Sequence, residues 1–412
     1  TEAARDHGCR PMSIVRQPSE QTEIRLVYAG CTGYCLRLPN QPAASRALYY
    51  VLSAICYLLL LNPRHLVLGM LSCVIHAAHD LRVEERKTPE PRTGEVLVRL
   101  GAGGICGSDL HYYHDGGVAD FRLREPMILG HEVAGEVVAV GPGVKALKAG
   151  DRVAVNPAYY CGVCYQCRTG RANLCPEVRF FGSASRFPHV QGGFAEFFCA
   201  AETQCIRLTT DIPFPVIACA EPLSVTLHAA NQAGKLTGKR VLITGAGPIG
   251  LLLALVARYA GAREIAITDR IQAPLDVGLR VAADRAINVA ETPGLLGETT
   301  KEIGGFDVAL EASGAPPALA DCVESVKPGS RIVQVGMLSN ATVPLGRLIA
   351  RELELVGTFR FADEFAEAVE LLERGRIKVD TLITERLPLS RAPEAFELAS
   401  DRRRSIKVSL VG

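Results

Sequence analysis

Apolar residues follow two rhythms along this chain, and the change comes near residue 222. From residue 70 onward, short apolar runs alternate with Pro and Gly punctuation. "SCVIHAAHDLRVEERKTPEPRTGEVLVRLGAGG", from Ser72 to Gly104, predicts two or three strands. "HEVAGEVVAVGPGVKALKAGDRVAV", from His131 to Val155, continues in that style, with Val and Ala runs around a Gly-Pro-Gly turn. Together they predict an all-β, barrel-like region of about 150 residues. Between Asn156 and Gly193 the alternation gives way to a long cysteine-rich loop. Loops of that length are functional or pinned by something.

Past "ACAEPLSVTLHAANQAG" the pattern changes. "GKRVLITGAGPIGLLLALVARYAGAREIAITD", from Gly238 to Asp269, reads as strand, glycine turn, apolar helix, strand. "VLIT" and "IAIT" are nearly all apolar, as parallel strands buried on both faces must be. A helix over Leu275 to Ala286, strand "FDVALEA", helix "PALADCVESV" and strands "RIVQVGM" and "LELVGTF" follow. The fold class predicted is α/β, with a doubly wound domain over 222–357. The helical "DEFAEAVELLERG" and the final "SIKVSLVG" (358–412) are expected to return to the first domain, 70–221. No internal repeat or low-complexity tract is evident.

Residues 1–69 read differently. They hold four cysteines and one apolar run, Ala47 to Leu61, of 15 residues. That is short of the roughly 20 a bilayer-spanning helix needs. The run lies deep in the chain, without the flanks of a signal peptide. The expected start of the protein is Met70, with 1–69 a non-native or disordered extension. A membrane anchor at 47–61 is the lesser reading.

Composition narrows the function. The 412 residues carry 45 basic and 44 acidic side chains, a balance with no electrostatic footprint for nucleic acid. The run Arg402 to Arg404 is read as a solvated loop or helix end. The 14 cysteines are too unevenly spread for a secreted disulfide framework, which favours a reducing compartment, the cytoplasm. Cys73, Cys199, Cys205, Cys219 and Cys322 are expected to be buried apolar residues.

Three motifs carry chemistry. "VLITGAGPIG" places Gly245, Gly247 and Gly250 as G-x-G-x-x-G after a strand and at the start of a helix, with Asp269 closing the next strand. That context marks a dinucleotide site: the glycines admit the pyrophosphate to the helix N-terminus. Asp269 would accept hydrogen bonds from the adenosine ribose and repel a 2′-phosphate, which favours NAD, while Arg270 keeps NADP open. In the loop, Cys161, Cys164, Cys167 and Cys175 run C-x2-C-x2-C-x7-C. Four thiolates so spaced suit a closed, structural zinc. A redox C-x-x-C explains only two of them, and nothing else in the chain suggests electron transfer for an iron–sulfur cluster.

The third motif begins at Gly103, "GGICGSDLHYYHDGG", which lacks clear helical or strand periodicity. Cys106 here, His131 and Glu132 in "LGHEVAGEV" and Glu221 in "CAEPLSV" offer a Cys, a His and a carboxylate. That is the ligand type of a catalytic zinc with an open position. Such an ion acts on an alcohol oxygen as a Lewis acid.

"GGICGSDLHYY", "GHEVAGEV", "GDRVAV", the four-cysteine lobe, "EPLSV" and "GAGPIG" resemble the zinc-dependent medium-chain dehydrogenases, over essentially all of 70–412. "EPLSV" resembles the polyol branch, and "RFFGSASRFPHVQGGF", Arg179 to Phe194, resembles L-idonate 5-dehydrogenases more than sorbitol or xylitol dehydrogenases. The resemblance implies a GroES-like β-barrel catalytic domain with a structural zinc lobe (156–193), a Rossmann domain, two zinc ions per subunit and a homo-oligomer, dimer or tetramer. The reaction implied is the reversible oxidation of L-idonate to 5-keto-D-gluconate, with sorbitol or xylitol as the alternative substrates.

For single residues, the resemblance implies that Cys106 and His131 bind the catalytic zinc, with Glu132 or Glu221 as third ligand. It makes Ser108 the first proton relay, His111 a later one and Tyr112 a substrate contact. Ser108 could equally cap a helix, and His111 and His114 could be surface histidines, the preferred reading for His114. Ile249, Val335, Gly336, Met337, Thr358, Phe359 and Arg360 match positions lining the dinucleotide; Arg360 and Phe361 match substrate positions. Pro274 stands where polyol dehydrogenases often carry an Arg, so a cation near the ribose is missing or replaced by Arg270. An acidic substrate also needs a cation, for which Arg360, Arg179 and Arg186 are candidates.

Overall fold

The computed structural model describes residues 23–25, 35–37, 69–337 and 340–412. Residues 1–67 and 68–412 form separate units. In the first, Glu23–Arg25 pairs antiparallel with Cys35–Arg37. The expectations for the rest of 1–68, the run Ala47 to Leu61 included, lie outside the described residues. Among the described residues, no helix is long and apolar enough to cross a membrane.

The second unit opens with β1 (Gly69–Ala77), β2 (Asp80–Lys87) and β3 (Glu95–Gly104), as the alternation predicts. Met70 lies inside β1. After β3 come helix α1 (Gly107–Asp115), β4 (Glu132–Val140), β5 (Arg152–Val155), β6 (Phe197–Ala201) and β7 (Cys205–Arg207). The main sheet runs β7-β5-β4-β3, then two strands from the far end of the chain, with β6 also on β3. Inward Val96, Val98, Val137 and Val153 are fully buried, as the period-2 pattern requires. The loop 156–193 is more ordered than its sequence suggests: Ala158–Tyr159 pairs with Arg179–Phe180, and Tyr165–Arg168 is a helical turn.

Helix α2 (Ala220–Ala233) leads into β8 (Arg240–Thr244), α3 (Pro248–Tyr259), β9 (Glu264–Asp269), α4 (Gln272–Val281), β10 (Arg285–Asn288), β11 (Phe306–Glu311), α5 (Pro316–Ser325), β12 (Val326–Gln334) and β13 (Glu354–Gly357). All six strands are parallel, in the order β10-β9-β8-β11-β12-β13. This doubly wound order reverses beside β8 and opens a crevice at the strands' carboxyl ends. Val241, Leu242 and Ile243 of β8 are fully buried, each contributing about 1.5–3 kcal/mol.

Two expectations need correction here. The helix read over Leu275 to Ala286 ends at Val281, and 285–288 is an edge strand. Asp284 makes the break: its carboxylate accepts the Ile265 N–H at 2.7 Å and pairs with Arg258 at 2.6 Å. The return to the first domain also comes later than 358. Helix α6 (Glu364–Glu373) packs on α2, and its Phe365 and Leu372 share a core with α3 and β8. Only then do β14 (Ile383–Pro388), α7 (Ala392–Ser400) and β15 (Lys407–Val411) return, β15 pairing with β3.

Candidate active site

The stretch 103–117 is not the loop its lack of periodicity suggested, because α1 occupies its centre. Cys106, not Ser108, is the N-cap, in extended conformation. Its N–H donates to Asp109 Oδ2 at 3.0 Å, half of a capping box with Cys in the place of Ser. Gly116, left-handed at φ 64°, ends the helix.

Asp109 was not among the expected site residues, although its spacing from Cys106 was the available signal. It is fully buried. Its Oδ1 accepts the Gly130 N–H at 3.3 Å and lies 3.6 Å from His131 Nδ1. The carboxylate stands behind Nδ1, as one does behind a metal-binding histidine, and Nε2 faces the other way, toward Ser108. Ser108 Oγ lies 3.4 Å from Nε2.

Donor atoms of Cys106, His131 and Glu132 lie within 4.8 Å of one another. One thiol, one imidazole and one carboxylate suit zinc. Glu132 has no exposed surface, and a Cβ at Gly104 would stand 2.1 Å from its Oε2, so only glycine fits opposite it. Burial, then Glu132, pushes the Cys106 thiol up to about 11. Glu221 is outside that trio. It is 4% exposed in the first turn of α2, and none of the described residues hydrogen-bonds its carboxyl. Burial pushes it up to about 8, the His131 charge easing and the Glu132 charge reinforcing the shift.

One expected member is elsewhere. His111 is exposed and bonded to Asp115 Oδ2 at 3.0 Å, an i,i+4 surface pair. Tyr112 is buried, its hydroxyl accepts the Ala184 N–H at 2.8 Å, and the Arg360 and Asp109 charges both act on it. His114 meets Ser400 Oγ at the surface, as expected.

The four lobe cysteines also bring their sulfurs within 4.8 Å of one another. Backbone N–H groups of Cys164 and Cys167 point at Cys161 and Cys164 Sγ. Backbone N–H bonds from Val163 and Cys164 hold the Cys161 thiol down at about 6, so thiolate, the metal-binding form, is favoured there. Among the described residues, no disulfide competes. Of the cysteines expected in the core, Cys73, Cys219 and Cys322 are buried, whereas Cys199 and Cys205 are only partly so.

The lobe reaches across to residues 358–361. Asn173 Nδ2 donates to Phe359 O at 2.9 Å, and Tyr160 Oη donates to Phe361 O at 3.0 Å. The two bonds hold carbonyls on either side of Arg360, which takes the left-handed φ of 53°, an uncommon one for a non-glycine residue. The Arg360 guanidinium lies 4.0 Å from the Phe180 ring centroid and 4.9 Å from that of Phe359. None of the described residues forms an ion pair or hydrogen bond with it, and burial lowers its pKa. Arg186, by contrast, is bonded to Val178 O and Glu177, and Arg179 is exposed. Phe361 is fully buried, a packing position.

At the nucleotide crevice, Gly245 is left-handed at φ 91°, and a Cβ at Gly250 would stand 1.8 Å from Gly245 O. The turn therefore needs both glycines. Gly247 caps α3, and Ile249 packs on the core beneath. Val335 and Gly336 donate their N–H groups to Glu311 O, and Met337 is exposed. Buried Glu311, another residue the sequence reading passed over, accepts N–H groups of Ser313 and Gly314. Gln334 Oε1 and Thr358 Oγ1 are buried without a partner among the described residues, at the strand ends where ligands of such sheets bind. Glycine turn, helix N-terminus and orphaned oxygens together fit a dinucleotide.

Comparison with known proteins decides the family. Residues 92–210 match the alcohol dehydrogenase GroES-like domain, and 248–374 the zinc-binding dehydrogenase domain. The chain belongs to the zinc-dependent alcohol and polyol dehydrogenases. Over 341 residues this dehydrogenase is 40% identical to L-idonate 5-dehydrogenase (NAD(P)(+)) of Escherichia coli, covering 82% of this chain and 98% of that one. It is 36% identical to sorbitol dehydrogenase of Gallus gallus over 344 residues, covering 82% and 96%. The crystal structure of the Escherichia coli L-idonate 5-dehydrogenase superposes with a TM-score of 0.79 at 39% identity, covering 84% of this dehydrogenase and 99% of that chain. Membership makes this chain an NAD(P)-dependent oxidoreductase.

Proposed function

We propose that this dehydrogenase oxidises the C5 hydroxyl of L-idonate to the ketone of 5-keto-D-gluconate, and catalyses the reverse reduction. The observation that carries this reading is Arg360: a guanidinium stacked on Phe180, in no ion pair among the described residues, on a loop clamped from both sides. A cation so held is suited to a substrate carboxylate. Phe180 also touches the His131 ring, with centroids 5.6 Å apart, so the cation stands beside the reacting centre.

Cys106, His131 and Glu132 or Glu221 would hold the catalytic zinc, and Cys161, Cys164, Cys167 and Cys175 a structural one. When bound, the zinc supplies a Lewis acid for the hydroxyl oxygen, and the nicotinamide ring supplies the hydride acceptor. Asp109 keeps His131 oriented. Ser108 Oγ takes the hydroxyl proton, and being half-buried passes it to solvent without His111. Thr358 and Gln334 offer their orphaned oxygens to the dinucleotide. Two electrons leave C5 as hydride, and one proton leaves through Ser108.

A neutral polyol is the second reading. The sorbitol dehydrogenase likeness favours it, as would a purely structural role for the Arg360 stack. We place the protein in the cytoplasm, a reading the uneven spread of its 14 cysteines supports. We read it as a homo-oligomer. Edge strand β13 carries exposed Leu355, near exposed Leu345 and Ile349, an apolar edge that an uncovered sheet would not keep.

The test is NADH formation by the purified chain with L-idonate, sorbitol and xylitol. A clear lead for L-idonate in kcat/KM supports the reading; a lead for sorbitol or xylitol replaces it with the second.

A further inference from the structure

The Arg402 side chain was expected to be solvated. Instead it crosses from the segment after α7 to the end of β9, where its guanidinium donates to Asp269 Oδ2 at 2.6 Å. Asp269 is the carboxylate to which the motif assigns the adenosine ribose. It has three further donors: the Ala246 N–H on Oδ2, and the Arg270 and Ile271 N–H groups on Oδ1. A carboxylate has about four acceptor sites, so Asp269 is full. Three of its donors are backbone groups fixed by the glycine turn and the start of α4. Only Arg402 is a side chain, and it is 44% exposed. The same guanidinium overlooks the turn, 3.8 Å from where a Cβ of Gly247 would stand. Arg270 is exposed, with no ion-pair partner for its side chain among the described residues. The carboxylate thus has one cation bonded to it and a second on the next residue.

We propose that Arg402 is the residue that sets the choice between the two dinucleotides, by acting as the cation for a 2′-phosphate. The proposal rests on the dinucleotide reading of this crevice. A ribose 2′-hydroxyl can reach Asp269 only by displacing Arg402, which then loses its partner. A 2′-phosphate gives the displaced guanidinium a new anion at the same edge of the ribose, and the two cations offset the repulsion from Asp269. Arg402 therefore handicaps NADH slightly and favours NADPH. This reverses the lean toward NAD drawn from Asp269, which Arg270 had left open to NADP, and it gives a physical substitute for the cation missing at Pro274.

The experiment measures dissociation constants of NADH and NADPH by nucleotide fluorescence, for the wild-type chain and for Arg402→Gln and Arg402→Lys. 2′,5′-ADP and 5′-ADP serve as competitors. The wild type is expected to bind both dinucleotides and to prefer 2′,5′-ADP to 5′-ADP. Arg402→Gln should shift the NADPH-to-NADH preference at least about tenfold toward NADH, the loss of a charge-assisted bond. Arg402→Lys should recover part of it. Equal weakening of both dinucleotides by Arg402→Gln would overturn the proposal and assign the guanidinium to the pyrophosphate or to holding the domains. A wild type that binds NADH but not NADPH would overturn it as well. A chain that binds neither would remove the dinucleotide reading itself.

Discussion

Lys407 of β15 reaches through the core to Glu132 of β4, with Nζ 2.6 Å from the carboxylate and both side chains buried. Nζ also donates to Ile105 O at 3.1 Å, beside Cys106. Burial alone would push the ammonium's pKa down, but the Glu132 carboxylate raises it above the usual lysine range. The last strand of the chain therefore supplies the countercharge for a candidate metal ligand. Replacing Lys407 by Met leaves a buried carboxylate unpaired, at a cost of about 3–5 kcal/mol. Urea unfolding of the zinc-free chain should show that loss, and Glu132→Gln in the same background should restore most of it. If Lys407→Met alone left stability unchanged, the pair would have no structural role.

Glu364 ties α6 to α2 through His228 at 2.8 Å, and it accepts the Ala362 N–H just after Arg360 and Phe361. Burial raises its carboxyl, but His228 and the backbone donors outweigh that and hold it at about 2, against an ordinary 4.5. A carboxylate held down in the folded state stabilises it fully above the unfolded value and loses that contribution as pH falls toward the folded one. Glu364→Gln should therefore lower Tm at pH 6, and the difference from wild type should shrink between pH 4.5 and about 2. Parallel Tm curves across that range would show that the His228 pairing adds nothing.

How much of this was legible in the sequence depended on how local each relationship is. The glycine turn, the four cysteines and the Cys106, His131 and Glu132 positions carry their chemistry in residue type and short spacing. Asp109 was legible too, three residues after its partner, but a cysteine at the N-cap disguised the capping box. Lys407 with Glu132 and Arg402 with Asp269 join residues 275 and 133 positions apart. No periodicity records such pairs. β10 was hidden because "RAIN" is a short edge strand that follows α4 after only three residues.

The four-cysteine lobe should be a clamp as well as a metal site, since Asn173 and Tyr160 hold the carbonyls on both sides of Arg360. Cys164→Ser should lower the zinc content by about one ion per chain and open the lobe to proteolysis. It should raise KM for L-idonate more than it lowers kcat. Unchanged zinc content in that variant would rule out metal at these thiols.

The apolar edge at β13 gives a separate test of assembly. Ile349 is 78% exposed and Leu355 39%. A double substitution Ile349→Lys and Leu355→Lys should shift the chain toward monomer in light scattering while leaving the nucleotide domain folded by circular dichroism. A wild type already monomeric at micromolar concentration would remove the oligomer reading.

The substrate reading stands or falls with the charge at Arg360. The decisive measurement is the ratio of kcat/KM for L-idonate to that for sorbitol, in wild type and in Arg360→Leu. Loss of one charge-assisted contact to the carboxylate should reduce the ratio by at least about tenfold. A ratio unchanged by Arg360→Leu, with both substrates slowed alike, would mean that the guanidinium only braces its loop and that no substrate carboxylate binds there.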